Sequence, residues 1–146
     1  MSNLSRKVLV VEDEGKILEV IKSFLESKNY VVITADNGRT ALELIEEENI
    51  SLILLDQMLP ELSGDIVCRT IRMKSRVPII MLTAKHDESD MLKAFEAGAD
   101  EYITKPFSIM ALYARMEAIL RRFDDEVSSL PLNEYKSKLI NIIQYI

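Results

Sequence analysis

The residue types that could carry out chemistry in this chain come directly after short apolar segments. Four such segments end on polar or charged side chains, and these end residues are Glu12 with Asp13, Asp56, Thr83 and Lys105. Three carboxylates brought within ~4–5 Å would repel each other by about 4 kcal/mol per pair at an effective dielectric of about 20. A hard divalent cation with oxygen ligands removes that repulsion, and Mg²⁺ suits a shallow, partly hydrated site. The acidic residues therefore predict a magnesium site.

Lys105 and Thr83 indicate a ligand beyond the metal ion, because a metal ion alone requires neither an ammonium nor a hydroxyl group. The oxygens of a phosphoryl group could be contacted by the metal ion, the lysine and the threonine hydroxyl between them. Asp56 would then be the nucleophile and form an acyl phosphate. Taken singly, each residue has a plainer explanation: a solvated loop lysine, a helix-capping threonine, an aspartate that begins a turn. Their occurrence together at one edge of a sheet favours the phosphoryl site.

The segments that carry these residues alternate between strand-like and helix-like patterns. Apolar runs with the length of buried strands lie at 7–11, 30–34, 52–56, 78–82 and 102–104. Apolar residues at helical spacing predict helices over 17–25, 39–48, 63–73, 87–97 and 109–123. Such alternation is the signature of a parallel sheet covered by helices on both faces. Because the carboxyl ends of parallel strands meet at one edge, the end residues should converge there.

The composition is that of an ordinary globular protein with one core. The 146 residues are 48% hydrophobic and 29% charged, which agrees with a single domain and a tail. A net charge of −6 argues against binding of nucleic acid through the surface potential. The single cysteine, Cys68, excludes an internal disulfide and is expected to pack inside the domain. No apolar run reaches the ~20 residues of a membrane span, and the polar N-terminus lacks a signal peptide, so a cytoplasmic protein without membrane contact is expected.

The chain is predicted to divide into a main domain over residues 1–123 and a C-terminal segment over 124–146. The segment begins with polar, linker-like residues up to Pro131. Residues 133–146 then show the apolar periodicity of one further amphipathic helix. We expect this helix to pack on the domain or on a second chain, or to stand before an output domain that this chain lacks.

Four stretches of the sequence carry a family resemblance. They are VLVVEDE at 8–14, Asp56 followed by MLP at 58–60 and by Gly64, PIIMLTA at 78–84, and GADEYITKPF at 98–107. Each is weak evidence alone, but they occur in order and at the right spacing across residues 6–122. The chain thus resembles the receiver domain of two-component response regulators, most closely the OmpR/PhoB type. The resemblance implies a flavodoxin-like, doubly wound α/β fold like that of CheY. It has five parallel strands in the order 2-1-3-4-5 and five helices, to which the C-terminal segment would add an extra helix.

The resemblance assigns roles to the residues at the strand ends. It implies that Asp56 accepts a phosphoryl group from a sensor histidine kinase. Mg²⁺ would be held directly by Asp13 and Asp56 and by the backbone carbonyl of Met58, and largely through water by Glu12. Slow self-dephosphorylation would be the only enzymatic activity.

Thr83 and Tyr102 look like the switch pair of the family, and Lys105-Pro106 looks like its cis peptide. Capture of the phosphoryl group would draw the Thr83 hydroxyl toward the new oxygens and free space for the Tyr102 ring. This would rearrange the face made by the fourth helix, the fifth strand and the fifth helix, which in the family forms a phosphorylation-dependent homodimer. The output would be control of transcription, with DNA contacted only through a C-terminal domain absent from this chain.

The sequence departs from the family pattern at a few positions. Gln57 follows the phosphoacceptor where an aliphatic residue is usual, which would place an amide near the site. On the predicted dimer face, uncharged residues stand where charged ones are common, at Met91, Met110 and Ala111. Part of the charge pattern would still come from Lys93, Asp100, Glu101 and Arg115. The dimer is therefore expected to depend more on apolar packing than on surface ion pairs, which contribute only about 0–1 kcal/mol each.

Other protein classes share part of the pattern. A haloacid-dehalogenase-like phosphohydrolase also phosphorylates an aspartate at a strand end, but it needs a second aspartate two residues later, where this chain has Met58. A flavin-binding protein needs a phosphate-cradling loop after the first strand, and the acids at 12–14 would repel that phosphate. Two alternatives stay open: a stand-alone receiver that acts by protein–protein interaction, and a Mg²⁺-dependent aspartyl-phosphate phosphohydrolase, against which Met58 argues.

Overall fold

The computed structural model describes residues 6–84 and 87–128 of the chain. Strands and helices alternate along these residues, as predicted. The strands are β1 (Lys7–Val11), β2 (Val31–Ala35), β3 (Leu52–Asp56), β4 (Ile79–Thr83) and β5 (Glu101–Thr104). The helices are α1 (Gly15–Ser27), α2 (Gly38–Glu47), α3 (Gly64–Arg72), α4 (Glu88–Glu96) and α5 (Ile109–Ser128).

The strands form one parallel sheet in the order β2-β1-β3-β4-β5. β3 lies at the centre and pairs with β1 on one side and β4 on the other. Val11 lies opposite Leu55, and Asp56 lies opposite Leu82, so the ends of the three strands are level. The predicted α/β fold and its strand order 2-1-3-4-5 are confirmed.

The central strands β3 and β4 are buried on both faces, because helices cover the sheet on either side. Every residue of both strands is buried. Ile53 and Leu55 join the apolar cluster under α2, α3 and α4, whereas Leu52 and Leu54 join the cluster under α1 and α5. This two-sided burial explains why the strands appear in the sequence as continuous apolar runs. The sheet is therefore a rigid support for the residues at its carboxyl edge.

Capping side chains and a backbone turn mark where the helices begin and end, close to the predicted positions. Asn37, Ser63 and Asp87 are N-cap residues whose side chains accept a hydrogen bond from the N–H three residues later, at 2.8, 3.4 and 3.0 Å. Gly98 has a φ of 108° just after α4, and its N–H donates to the carbonyl of Phe95. A positive φ at this position favours glycine. Gly98 thus lies directly after the helix that was predicted over 87–97.

The last helix differs from the prediction at its C-terminal end. α5 continues to Ser128, whereas the sequence pattern predicted its end at Phe123 and a linker from residue 124. Acidic residues at 124–126 are typical of a linker, but no glycine or proline interrupts the helix before Pro131. Asp124 also forms an ion pair with Arg6 at 2.6 Å, which links this turn to the start of β1. The predicted helix over 133–146 lies outside the described residues, and the division of the chain into two parts stays a prediction.

One arginine connects the C-terminal end of α3 with α4 and β4. The guanidinium of Arg72 donates hydrogen bonds to the carbonyls of Gly98 at 2.9 Å and Val77 at 2.7 Å. It also forms an ion pair with Asp100 at 2.8 Å. Arg72 therefore anchors the end of α4 that is opposite to the carboxyl edge of the sheet.

Candidate magnesium and phosphoryl site

The polar residues at the strand ends lie together at the carboxyl edge of the sheet, as predicted. The hydrogen bonds of the sheet continue one residue beyond the strand ends. The N–H of Gln57 donates to the carbonyl of Leu82, and the N–H of Lys105 donates to the carbonyl of Thr83, both at 2.7 Å. The backbone around the site is therefore held by the sheet itself, and the functional side chains project from rigid strand ends.

Glu12, Asp13 and Asp56 form a group that we call the acidic cluster. Each residue contributes one carboxylate oxygen, and these oxygens lie within 4.8 Å of one another. Glu12 and Asp56 are buried, with 0% and 3% of their surface exposed, whereas Asp13 is exposed. A set of oxygen ligands that is open to solvent on one side fits Mg²⁺, which usually keeps several waters.

Both oxygens of the Asp56 carboxylate have neighbours. Oδ1 accepts a hydrogen bond from the N–H of Met58 at 3.0 Å. Oδ2 lies 3.5 Å from the Nζ of Lys105. The structure therefore brings the Asp56 carboxylate close to Lys105, two groups that the sequence placed in one site. The contact of Asp56 with Met58 is made by the backbone N–H, whereas the sequence assigned the Met58 carbonyl to the metal ion, and that assignment stays a prediction.

Lys105 contacts three carboxylates. Its Nζ lies 2.7 Å from Oε1 of Glu12, and 3.5 Å from both Oδ2 of Asp56 and Oε1 of Glu14. The contact with Glu12 is an ion pair that is poorly directed for a hydrogen bond. Lys105 was predicted to contact the phosphoryl group, and in the structure its nearest charged partner is Glu12. The contact with Glu14 was not predicted, because the sequence does not show in which direction the side chain of an acid in this loop points.

Burial and charge set the protonation of this pair. Burial raises the pKa of Glu12 to about 7, with a further contribution from the charge of Asp56, whereas the contacts with Lys105 and the N–H of Glu14 act in the opposite direction. Burial alone would lower the pKa of Lys105, but its contacts with Glu12 and Asp56 outweigh burial and raise the pKa. Lys105 is therefore an ammonium group, whereas burial makes the ionised form of Glu12 unfavourable. A cation at the acidic cluster would favour the ionised form of Glu12.

Thr83 and Tyr102, the predicted switch pair, lie on the neighbouring strands β4 and β5. Both side chains are buried. The Tyr102 ring lies toward α4, with its centroid 6.4 Å from that of the Phe95 ring. Burial raises the pKa of Tyr102, and the negative charge of Asp90 in α4 adds to the shift. The Tyr102 ring therefore lies between the sheet edge and α4, next to the strand that carries Thr83. The predicted cis peptide at Lys105-Pro106 is confirmed.

The start of α3 is pressed against the peptide that joins Asp56 to Gln57. A Cβ atom at Gly64 would lie 2.3 Å from the carbonyl oxygen of Asp56 and 2.7 Å from the Cα of Gln57, so only glycine fits. The Gln57 side chain is buried beside this turn and contacts Asp65 in α3 and the Asp90 carbonyl in α4. An amide near the site was predicted from the sequence, but these partners were not.

Comparison with known proteins identifies the family that has this arrangement. The family described as response regulator receiver domain matches residues 8–117. The transcriptional regulatory protein ResD of Bacillus subtilis is 48% identical over 116 residues, which are 80% of this chain and 48% of ResD. The transcriptional regulatory protein SrrA of Staphylococcus aureus is 44% identical over 119 residues, which are 82% of this chain and 49% of SrrA.

Solved structures agree with the sequence relatives. A CheY-like response regulator receiver domain protein from Methanospirillum hungatei superimposes with a TM-score of 0.80 at 28% identity, over 84% of this chain and 98% of that chain. The response regulator DrrB of Thermotoga maritima, described as an OmpR/PhoB homolog, superimposes with a TM-score of 0.75 at 38% identity. That match covers 82% of this chain and 54% of DrrB.

The family match extends over all the strand-end residues of the site. The chain spans about half the length of the curated relatives named above. Within residues 6–84 and 87–128, no helix is long and apolar enough to cross a membrane. The chain therefore belongs to the response regulator receiver domains of two-component signalling, and its relatives include a regulator of the OmpR/PhoB type.

Proposed function

We propose that this chain is a phosphoacceptor that takes a phosphoryl group from a sensor histidine kinase onto Asp56. The observation that carries the proposal is the position of this buried carboxylate at the end of β3. It lies within 4.8 Å of two other carboxylates and 3.5 Å from the ammonium of Lys105. In the transfer, a carboxylate oxygen would bond to phosphorus while the bond from phosphorus to the histidine nitrogen breaks, and the electron pair of that bond would stay on the nitrogen.

The acidic cluster would hold the Mg²⁺ that the transfer requires. Receiver domains bind Mg²⁺ at an acidic pocket, and the acidic cluster has the oxygen ligands that such an ion needs. Asp13, Asp56 and the backbone carbonyl of Met58 would be direct ligands, and Glu12 would act largely through water. When bound, the ion would offset the repulsion between the incoming phosphoryl group and the carboxylates.

Lys105 and Thr83 would contact the phosphoryl oxygens. Lys105 lies within ion-pair distance of Asp56 and is held by Glu12, so its ammonium is in place before the phosphoryl group arrives. Such preorganised charge in a buried site favours the transfer, because little rearrangement is needed as the charge develops. Slow self-dephosphorylation would be the only enzymatic activity.

Phosphorylation would be read out through Thr83 and Tyr102 at the face made by α4, β5 and α5. The large apolar residues that are most exposed on the two helices of this face are Met91, Leu92, Phe95 and Met110. They support a phosphorylation-dependent homodimer, and the same face would serve a stand-alone receiver that acts by protein–protein interaction.

Control of transcription is the proposed output. The relatives named as transcriptional regulators extend well beyond the region that this chain matches. DNA would be contacted through such a further domain, since the net charge of this chain is −6. The cytoplasmic location inferred from the sequence stays a prediction.

The phosphoacceptor proposal is tested by incubating the full chain with acetyl phosphate and Mg²⁺. We expect intact-mass spectrometry to show the addition of one phosphoryl group, and Asp56→Ala to abolish it. Asp36→Ala is a matched control, because Asp36 is an exposed aspartate just after β2 and lies outside the acidic cluster. Labelling that persists in Asp56→Ala, or that is equally fast in EDTA, would refute the proposal.

A further inference from the structure

Gln57 directly follows the phosphoacceptor, and its polar side chain is buried with 3% of its surface exposed. Its Nε2 donates to both carboxylate oxygens of Asp65, at 3.0 and 3.2 Å. The same Nε2 donates to the backbone carbonyl of Asp90 at 3.1 Å. Asp65 lies in the first turn of α3 and Asp90 in the first turn of α4. We call these contacts the Gln57 bridge, since they join the residue after Asp56 to the starts of two helices.

The contacts fix the orientation of the Gln57 amide. If the amide were rotated by 180°, its oxygen would face the two oxygens of Asp65 and the carbonyl of Asp90, all of which are acceptors. In the observed orientation, Oε1 is buried and has no hydrogen-bond partner among the described residues. An aliphatic side chain would avoid this unfavourable burial of an oxygen. Packing alone therefore does not account for a glutamine here, whereas the two directed N–H groups do.

α4 needs such a contact, because little of it is buried. Ala94 is the one residue of α4 that is fully buried, while Leu92 and Phe95 are 54% and 44% exposed. Arg72 anchors the C-terminal end of α4 through the carbonyl of Gly98. The Gln57 bridge holds the opposite end, which lies toward the phosphorylation site. The first turn of α4 is thus linked directly to the residue that is covalently attached to Asp56.

We propose that Gln57 is a positioning residue that holds the first turn of α4 in the arrangement of the unphosphorylated chain, and so opposes the change of α4 that accompanies phosphorylation. This inference rests on the proposed function of Asp56. A contact that stabilises one of two arrangements lowers the affinity for any ligand that favours the other. Loss of the Gln57 bridge should therefore raise the affinity for a mimic of the phosphoryl group.

The experiment measures the affinity of the full chain for beryllofluoride in the presence of Mg²⁺, by calorimetry. Gln57→Met keeps the length of the side chain and removes the amide. We expect it to bind beryllofluoride about twofold to tenfold more tightly than the unmodified chain, which is the range for the loss of one net hydrogen bond. Asp65→Ala removes the carboxylate that orients the amide and should have a similar effect. The double variant should bind no more tightly than Gln57→Met, because both changes remove the same bridge.

A matched control and a second measurement separate this role from general destabilisation. Asn37→Ala removes a side-chain-to-backbone hydrogen bond of 2.8 Å at the start of α2, away from α4, and should leave the affinity unchanged. Hydrogen exchange without beryllofluoride should be faster at residues 91–95 of α4 in Gln57→Met, and unchanged in α2. If Gln57→Met does not fold, Asp65→Ala provides the same comparison.

The outcomes distinguish the two proposals. If the unmodified chain does not bind beryllofluoride with Mg²⁺, the proposed function at Asp56 fails, and the role of the Gln57 bridge fails with it. If the unmodified chain binds, but Gln57→Met binds with equal or lower affinity, only the role of the bridge is refuted. An Asn37→Ala variant that also binds more tightly would likewise refute it, because the effect would then be one of lower stability.

Discussion

Asp13 is the exposed member of the acidic cluster, so it can be replaced without leaving a cavity in the core. We expect Mg²⁺ to raise the midpoint of thermal unfolding, because an ion that binds only the folded state adds about 1.4 kcal/mol of stability at ten times its Kd. For a domain of this size that is a rise of a few degrees. Asp13→Ala should lose most of the rise, as measured by circular dichroism during heating with and without Mg²⁺.

Glu14→Ala is the matched control for this prediction. Glu14 is an exposed acid next to Asp13, but it is not a member of the acidic cluster. This variant should keep the rise, and EDTA should return the unmodified chain to its metal-free midpoint. A rise that persists in Asp13→Ala would contradict the assignment of the metal ligands.

Cys68 is expected to be chemically inert in the folded chain. It is fully buried, its Sγ donates to the carbonyl of Ala97 at 3.4 Å, and burial raises the pKa of its thiol from 9.0 to about 11. At pH 8 the thiolate fraction is then lower by about 100-fold, and burial also blocks the reagent. The reaction with DTNB at pH 8 should therefore be at least about 100-fold slower in buffer than in urea. Similar rates in the two solutions would show that α3 exposes Cys68.

At the scale of elements, the close approach of α3 to β3 depends on one glycine. An added Cβ at Gly64 would lie 2.3 Å from the carbonyl oxygen of Asp56. This oxygen belongs to the backbone, so it cannot rotate away as a flexible side chain could. We expect Gly64→Ala to lower the free energy of unfolding by about 1–3 kcal/mol through overpacking, as measured by urea denaturation. It should also slow the labelling of Asp56, since α3 must shift away from the phosphoacceptor peptide.

Gly15→Ala provides the comparison at the start of another helix. A Cβ at Gly15 would meet nothing within 4 Å, so alanine there should be neutral or stabilising by up to about 1 kcal/mol. Equal stability losses in the two variants would show that close contact with Asp56 is not the reason for Gly64.

At the scale of the whole molecule, several charged residues on the face made by α4, β5 and α5 are paired within the chain. Arg115 forms an ion pair with Glu101 at 2.9 Å, and Asp100 is paired with Arg72 at 2.8 Å. Three of the four charged residues that were predicted to contact a partner chain, all except Lys93, are thus in ion pairs within the described part of the chain. Met110 on the same face is 56% exposed. A dimer on this face would therefore be held mainly by apolar contacts.

Met110→Glu is expected to abolish the dimer that forms when the chain is activated with beryllofluoride. A buried, unpaired carboxylate at an interface is unfavourable, and the effect should be similar at low and high salt because ion pairs contribute little. Sedimentation velocity measures the oligomeric state. Met73→Glu is the control, since Met73 is also exposed but lies at the end of α3, outside this face. Activated chain that stays monomeric, or a dimer that is unaffected by Met110→Glu, would contradict this use of the face.

The sequence by itself determined the architecture and the composition of the site. Fully apolar strands and amphipathic helices alternate, and chains with this pattern commonly fold as a parallel sheet covered on both faces. In that fold the carboxyl ends of the strands share one edge of the sheet. Glu12, Asp56, Thr83 and Lys105 therefore had to meet at this edge. The sequence was less informative about the end of a helix when that end was predicted from polar residues alone. The acids at 124–126 were interpreted as a linker, but a helix tolerates them, and α5 continues to Ser128.

Only the tertiary structure decided which partners the polar side chains have. Gln57 binds Asp65 and Asp90, which follow it by 8 and 33 positions, and Arg72 binds the carbonyl of Gly98, 26 positions later. Such contacts depend on where separate helices lie on the sheet, which neither propensity nor periodicity encodes. The pairing of Lys105 with Glu12 likewise requires two strand ends to be at the right distance, 2.7 Å between charged atoms. Local patterns determine which residues reach the edge of the sheet, while packing between elements determines which atoms they contact there.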